Sequence, residues 1–188
     1  MDASHDMKCS DTIRHVTRMT EGFVNEFVIR RAAADDAAAM ADIYNQAIAD
    51  STATFDTVPE TAEHRAEWLA EHTAPQHPVL VAERDGRVVG WASLSSYSTR
   101  CAYEATVEAS TYIDSRQTGR GLGTALSEAL LEAGRDGGVH AVLARICTEN
   151  LASLAMCRKL GFFEIGTMRE VGVKFGRSLD VVWLEKIL

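Results

Sequence analysis

The residues best suited to chemistry are Glu108 and the glycine-rich run TGRGLG (118–123) that follows it. Glu108 is the only carboxylate between Glu104 and Asp114. A glycine-rich turn opening a helix gathers free backbone N–H groups and the positive end of the helix dipole, which together hold a phosphate. A carboxylate beside such a turn can take a proton from a nucleophile, or it can be an ordinary strand-surface or ion-paired glutamate. Together they point to a phosphate-bearing cofactor held beside a carboxylate.

The elements that must position these groups follow from the local pattern. Val107, Tyr112 and Ile113 favour a strand within Ala102–Ile113, and Thr124 to Leu131 carries Ala125, Leu126, Ala129 and Leu130 on one helical side. Upstream, Phe27 to Arg31 reads as an edge strand. A helix capped by Asp35 or Asp36 follows, with Met40, Ile43, Tyr44, Ala47 and Ile48 at helical spacing. STATFDTVPE (51–60) reads as a loop projecting Phe55, and Thr61 starts a helix that turns Trp68 and Leu69 inward. Val79–Glu83 and Arg87–Leu94 form a hairpin around Asp85-Gly86. Downstream come a strand in VHAVLARI (139–146), a helix opened by Asn150 with Leu154, Cys157 and Leu160, and two closing strands, 162–166 and 181–184. This order predicts a mixed α/β sheet with helices on its faces. A doubly wound dinucleotide fold is excluded, because the glycines follow several antiparallel strands and no acidic residue ends the next strand. A Walker A loop is excluded by the missing Gly-Lys-Ser/Thr.

Composition narrows the class. The chain has 188 residues, 46% of them apolar, enough for one domain with a real core. A net charge of −8 and the lack of a basic block argue against nucleic acid. The cysteines show no CxxC spacing, and His64, His72, His77 and His140 show no metal-ligand spacing, so no metal is expected and these histidines read as surface groups. With no signal peptide or long apolar run, the expected location is the cytoplasm, with no membrane span. Trp68, Trp91 and Trp183 read as core residues. Residues 1–27 read as an extension, either a loose appendage or an element packed on the domain or a partner. Ile13, Val16 and Met19 to Phe23 suit a short helix or a sticky segment.

Six ordered features then meet in one pattern: IYNQAI (43–48), STATFDTVPET (51–61), YEATVEASTYI (103–113), TGRGLG (118–123), ENLASLAMCRKLGF (149–162) and GVKFGRSLD (172–180). With them the chain from about residue 28 to 188 resembles the Gcn5-related N-acetyltransferase (GNAT) superfamily, and more closely the phosphinothricin and methionine sulfoximine N-acetyltransferases. The resemblance implies an α/β (α+β) GNAT fold, with a strongly twisted mixed sheet flanked by helices on both faces. It implies acetyl transfer from acetyl-CoA to the primary amine of a small amino acid or analogue, by direct attack in a ternary complex. It places the pyrophosphate on the backbone of Thr118, Gly119, Arg120, Gly121, Leu122 and Gly123, pantetheine along Tyr112 and Ile113, and further cofactor contacts at Asn150 and Ser153. Glu108 falls at the catalytic position, and Phe55, Arg100 and Tyr103 at substrate positions, with Arg100 able to grip a carboxylate. Ordinary packing or exposure accounts equally for these three. Lys174 and Phe175 border the acceptor region. Cys157 stands where relatives place a tyrosine or histidine, either as proton donor to the leaving thiolate or as a small buried hydrophobe. Thr118, Ala109 and Ser178 also depart from the family pattern, which bears on substrate and leaving group more than on the cofactor. A homodimer is implied. Two other readings stay open: an acetyltransferase for a peptide N-terminus, polyamine or antibiotic, and a weakly catalytic acetyl-CoA-binding module.

Overall fold

The computed structural model describes residues 12–20 and 23–188, with side chains from Phe27 onward. Residues 1–11 and 21–22 of the expected extension lie outside the described residues. Among the described residues, eight strands form one sheet in the order β1-β2-β3-β4-β5-β6-β8-β7. They are β1 (Thr12–Thr20), β2 (Phe23–Arg31), β3 (Val79–Arg84), β4 (Arg87–Ser96), β5 (Thr106–Ile113), β6 (Ala141–Cys147), β7 (Phe163–Lys174) and β8 (Arg177–Ile187). Neighbours are antiparallel except β5 and β6. The helices are α1 (Ala37–Asp50), α2 (Ala62–Glu71), α3 (Leu122–Asp136) and α4 (Leu151–Lys159).

Strand alternation sorts the core into two layers. Leu80 and Ala82 join Leu122, Leu126 and Leu130 of α3 and Leu154 and Cys157 of α4 on one face. Val79 and Val81 point the other way, toward Met40 and Ile43 of α1 and Trp91 of β4. Arg65 of α2 is buried on that second face and ion-paired with Glu60, its guanidinium 4.6 Å from the ring centres of both Trp68 and Trp91. The mixed sheet with helices on both faces is as expected from the sequence.

Several boundaries differ. Thr12–Thr20 is a strand, because β-branched Thr12, Ile13, Val16, Thr17 and Thr20 outweigh the helical reading. β2 is therefore an inner strand, and β1 is the edge. β5 begins only at Thr106, since Cys101–Tyr103 coils into a short 3-10 turn. The closing hairpin is much longer than expected and turns at Phe175-Gly176. Its β7 carries an irregularity between Met168 and Gly172, where Glu170 has a φ of 50° and donates its N–H to Asp180 Oδ1 at 2.7 Å.

The feature that shapes the site is the parting of β5 from β6. The two pair only at Thr106↔Ala141, Val107↔Val142 and Glu108↔Leu143. Beyond Glu108, β5 stays with β4 as far as Gly90↔Ile113, while β6 stays with β8 as far as Cys147↔Val181. Each half of the sheet keeps its own ladder and twist, so a wedge opens between them.

One expected surface residue is built in. His72 lies half-buried against Trp68, its Nδ1 2.8 Å from the Trp68 carbonyl and its Nε2 2.9 Å from Ser95 Oγ. A carbonyl only accepts, so Nδ1 carries the proton and Nε2 accepts from Ser95. Burial holds the His72 pKa below its usual 6.5. The unfolded chain thus binds the extra proton first as pH falls below about 6.5, and stability drops through that window. We expect denaturation midpoints to fall between pH 7.5 and 5.5, with a shallower fall in His72→Asn. An identical slope in the variant would remove His72 as a cause.

Candidate active site

The wedge between β5 and β6 is a cavity of about 530 Å³. Glu108 to Tyr112 line one wall, Ala144 to Cys147 the other, and Phe55, Asp56, Met168, Val171 and Trp183 surround the mouth. Glu108 stands at the last paired position, so its side chain enters the cavity where the strands separate. It is bound by Arg145 through two bonds, Nε to Oε1 at 2.6 Å and Nη2 to Oε2 at 2.7 Å. The ion-pair alternative for Glu108 therefore describes its resting contact.

The segment carrying Phe55 is tied down on both sides. Lys174 is buried and donates from Nζ to the carbonyls of Thr54 (2.7 Å) and Ala47 (3.3 Å). Desolvation pulls its ammonium pKa down. The Tyr44 hydroxyl donates to Asp56 Oδ2 at 2.7 Å, and burial first of all raises its pKa, which keeps it a donor. Asn45 exchanges two 2.8 Å bonds with the Glu60 backbone. Between these ties the Phe55 ring lies on the Cα of Gly172, where a Cβ would come within 2.1 Å of the ring.

A second cavity, of about 890 Å³, adjoins the first and shares Tyr112, Asn150, Ser153 and Met156 with it. Thr118, Gly119, Gly121, Leu122 and Gly123 line it, as does Ile113. Gly119 and Gly121 both have positive φ, 74° and 79°, and Gly121 is the N-cap of α3 with no side-chain cap. The first intrahelical bond runs from Ala125 N to Gly121 O, so the N–H groups of Leu122, Gly123 and Thr124 precede it. A 15-residue helix ending uncapped at a glycine turn suits an anionic diphosphate, and the adjoining space suits an elongated tail. Acetyl-CoA fits this donor set.

Other expected residues are placed differently. Arg120 lies on the turn but outside the cavity lining, its Nη1 3.5 Å from Gln117 Oε1. Asn150 borders both cavities while its Oδ1 accepts from Ser153 N at 3.2 Å to cap α4. Arg100 and Tyr103 line neither cavity. They belong to the exposed 3-10 turn before β5, and Tyr103 reaches the mouth only through Tyr97, which in turn faces Trp183. Cys157 is buried in the core, and burial pushes its thiol up to about 11. A free thiolate with a pKa near 8.5 is a weaker base than that, so proton transfer from Cys157 would run uphill. Trp183 lines the cavity instead of filling the core. Sequence reading missed Arg145, whose one signal was a lone cation in the apolar strand AVLARIC. Among the described residues, no group of three His, Cys, Asp or Glu is placed to hold a metal.

The acetyltransferase (GNAT) family pattern matches residues 40–162. The chain belongs to the GNAT acetyltransferase family. It is 38% identical over 84% of its length to the L-amino acid N-acyltransferase MnaT of Escherichia coli, covering 91% of that protein. It is 37% identical over 84% of its length to an L-methionine sulfoximine/L-methionine sulfone acetyltransferase of Pseudomonas aeruginosa, covering 92% of it. Among solved structures, the GNAT phosphinothricin acetyltransferase of Sinorhizobium meliloti in complex with acetyl-CoA superposes with a TM-score of 0.83 at 31% identity, covering 86% of this chain and 88% of that one. As a GNAT protein this chain is an acetyl-CoA-dependent N-acetyltransferase.

Two expectations follow from the glycines. Gly121→Ala places a side chain in the left-handed region at a cost of about 1–2 kcal/mol, and should weaken acetyl-CoA binding by about tenfold in calorimetric titration. Unchanged affinity would show that the turn does not hold the cofactor. Gly172→Ala must move Phe55, so the KM for the amine should rise several-fold while that for acetyl-CoA holds. A change confined to acetyl-CoA would detach Phe55 from the acceptor side.

Proposed function

We propose that the protein acetylates the primary amine of a small amino acid or amino-acid analogue of the methionine sulfoximine or phosphinothricin kind, with Glu108 as general base. The observation that carries this is the position of Glu108, at the point where β5 leaves β6 and inside the cavity that adjoins the glycine turn. The E. coli and P. aeruginosa relatives, named as an L-amino acid N-acyltransferase and an L-methionine sulfoximine/L-methionine sulfone acetyltransferase, support the same acceptor class.

In this reading Glu108 takes a proton from the ammonium, directly or through one water, and the freed nitrogen attacks the acetyl carbonyl. Backbone N–H groups of β5 beyond Glu108, which have lost their β6 partner, stabilise the oxygen as negative charge develops. The C–S bond breaks as the C–N bond is completed, and the nitrogen's second proton leaves with the CoA sulfur or to water. Cys157 takes no part in this scheme, since burial raises its pKa and makes the thiol too weak an acid to protonate the leaving sulfur.

A homodimer accompanies the proposal. β7 ends the sheet, and its Phe163, Ile165, Met168, Val171 and Val173 are exposed, a row suited to a second copy.

Glu108→Gln should lower kcat by about 10²- to 10⁴-fold and leave acetyl-CoA affinity unchanged, measured by CoA release from an amine panel between pH 7 and 9. Turnover equal to wild type across that range would sink the base role. A panel in which only polyamines or peptide N-termini react would move the acceptor to another class.

A further inference from the structure

Arg145 is the one cation lining the acceptor cavity among the described residues, and both its bonds go to the proposed base. The pair is unequal in exposure: the Glu108 side chain is 22% exposed and that of Arg145 53%. The guanidinium lies 5.5 Å from the Trp183 ring centre. Trp183 is in turn fixed by its Nε1, which donates to Met168 Sδ. A guanidinium lying near an aromatic ring, with its stem anchored on β6, can rotate away from a carboxylate without leaving the cavity. The carboxylate is carried on β5 at the last paired position of the β5–β6 ladder.

We infer that Arg145 is the residue that recognises the substrate's α-carboxylate, and that the Glu108–Arg145 pair is a stand-in for a bound zwitterion. This rests on the amino-acid reading above and adds the residue that selects for it. When an amino acid enters, its ammonium takes the place of the guanidinium at Glu108, and its carboxylate takes the place of Glu108 at Arg145. One ion pair becomes two, and no charge in the half-buried cavity is left alone. An amine without a carboxylate has only half of this exchange. It must displace Arg145 from Glu108 and offers the guanidinium no carboxylate in return, so it trades one ion pair for one where the amino acid gains a second. The bidentate fork of Arg145 matches a carboxylate in plane, and it already does so with Glu108. Arg100, the cation expected from sequence to make this contact, is exposed and outside the cavity.

The test compares methionine sulfoximine and methionine with 3-(methylthio)propylamine, the decarboxylated counterpart of methionine. The wild-type enzyme should favour the amino acid over the amine in kcat/KM. In Arg145→Met that ratio should fall by about 10- to 100-fold, mostly through a higher KM for the amino acid, while the affinity for acetyl-CoA in titration is retained. Arg145→Lys, which keeps the charge but loses the fork, should recover part of the ratio, and thermal melting confirms that each variant is folded. An equal loss on amino acid and amine would make Arg145 a positioning group for Glu108 and overturn the inference while leaving the amino-acid acceptor intact. If wild type turns over the amine as well as the amino acid, the inference fails as well. If it acetylates no amino acid at all, the underlying acceptor reading fails.

Discussion

The sheet is continuous through three paired residues of β5 and β6 and then comes apart, and the function is built on that parting. Backbone groups on β5 beyond Glu108 have no strand beside them on one side. In a closed sheet such groups would need a partner, because buried unpaired amides and carbonyls are costly. Here the open side leaves them free to pair with a ligand. The parting survives because each strand has a full ladder on its other side: seven register pairs join β4 to β5, and seven join β6 to β8. Thr111 Oγ1 and Ser127 Oγ, 3.0 Å apart, tie β5 to α3 beyond its last pairing with β6.

Position along this wedge divides labour between local and distant parts of the chain. The glycine turn and the first turn of α3 are contiguous in sequence with β5, so cofactor geometry depends on a short segment. The acceptor cavity instead draws on α1, the 51–61 loop, β6 and the β7–β8 hairpin. Its precision depends on long-range ties: Lys174 to the Thr54 carbonyl, Tyr44 to Asp56, and the Phe55 ring on Gly172.

The same division decides how much could be read in the amino-acid order. The Asp85-Gly86 hairpin, the helices of α1 to α4 and the turn before α3 announce themselves through periodicity and turn chemistry, and their existence matched expectation. β1 was missed because its apolar residues are sparse, although its β-branched residues favour a strand and β2 supplies the pairing that completes one. The length of β7 was missed because nearly every residue in it is exposed, so no alternation marks it. Arg145 reads as the polar side of a half-buried strand, and its importance comes from a residue 37 positions away. His72 was read as a surface group for a similar reason, since Ser95 lies on another element. Arg100 is the converse case: a fitting residue type at a fitting place in the sequence, which the fold sets exposed at the start of a short 3-10 turn and outside the cavity lining.

The resting contact between Glu108 and Arg145 also bears on how the site empties. Acetylation turns an ammonium into a neutral amide, so the product has no cation to offer Glu108. The enzyme's own guanidinium is then the best partner in reach, tethered at the cavity wall at high effective concentration. On the proposed amino-acid acceptor, once Glu108 has passed the proton it took to water, the guanidinium returns to it and gives up its hold on the product's carboxylate. A site closed by its own ion pair would thus discriminate between what enters and what leaves by one positive charge, and the chemistry itself would supply the signal for release.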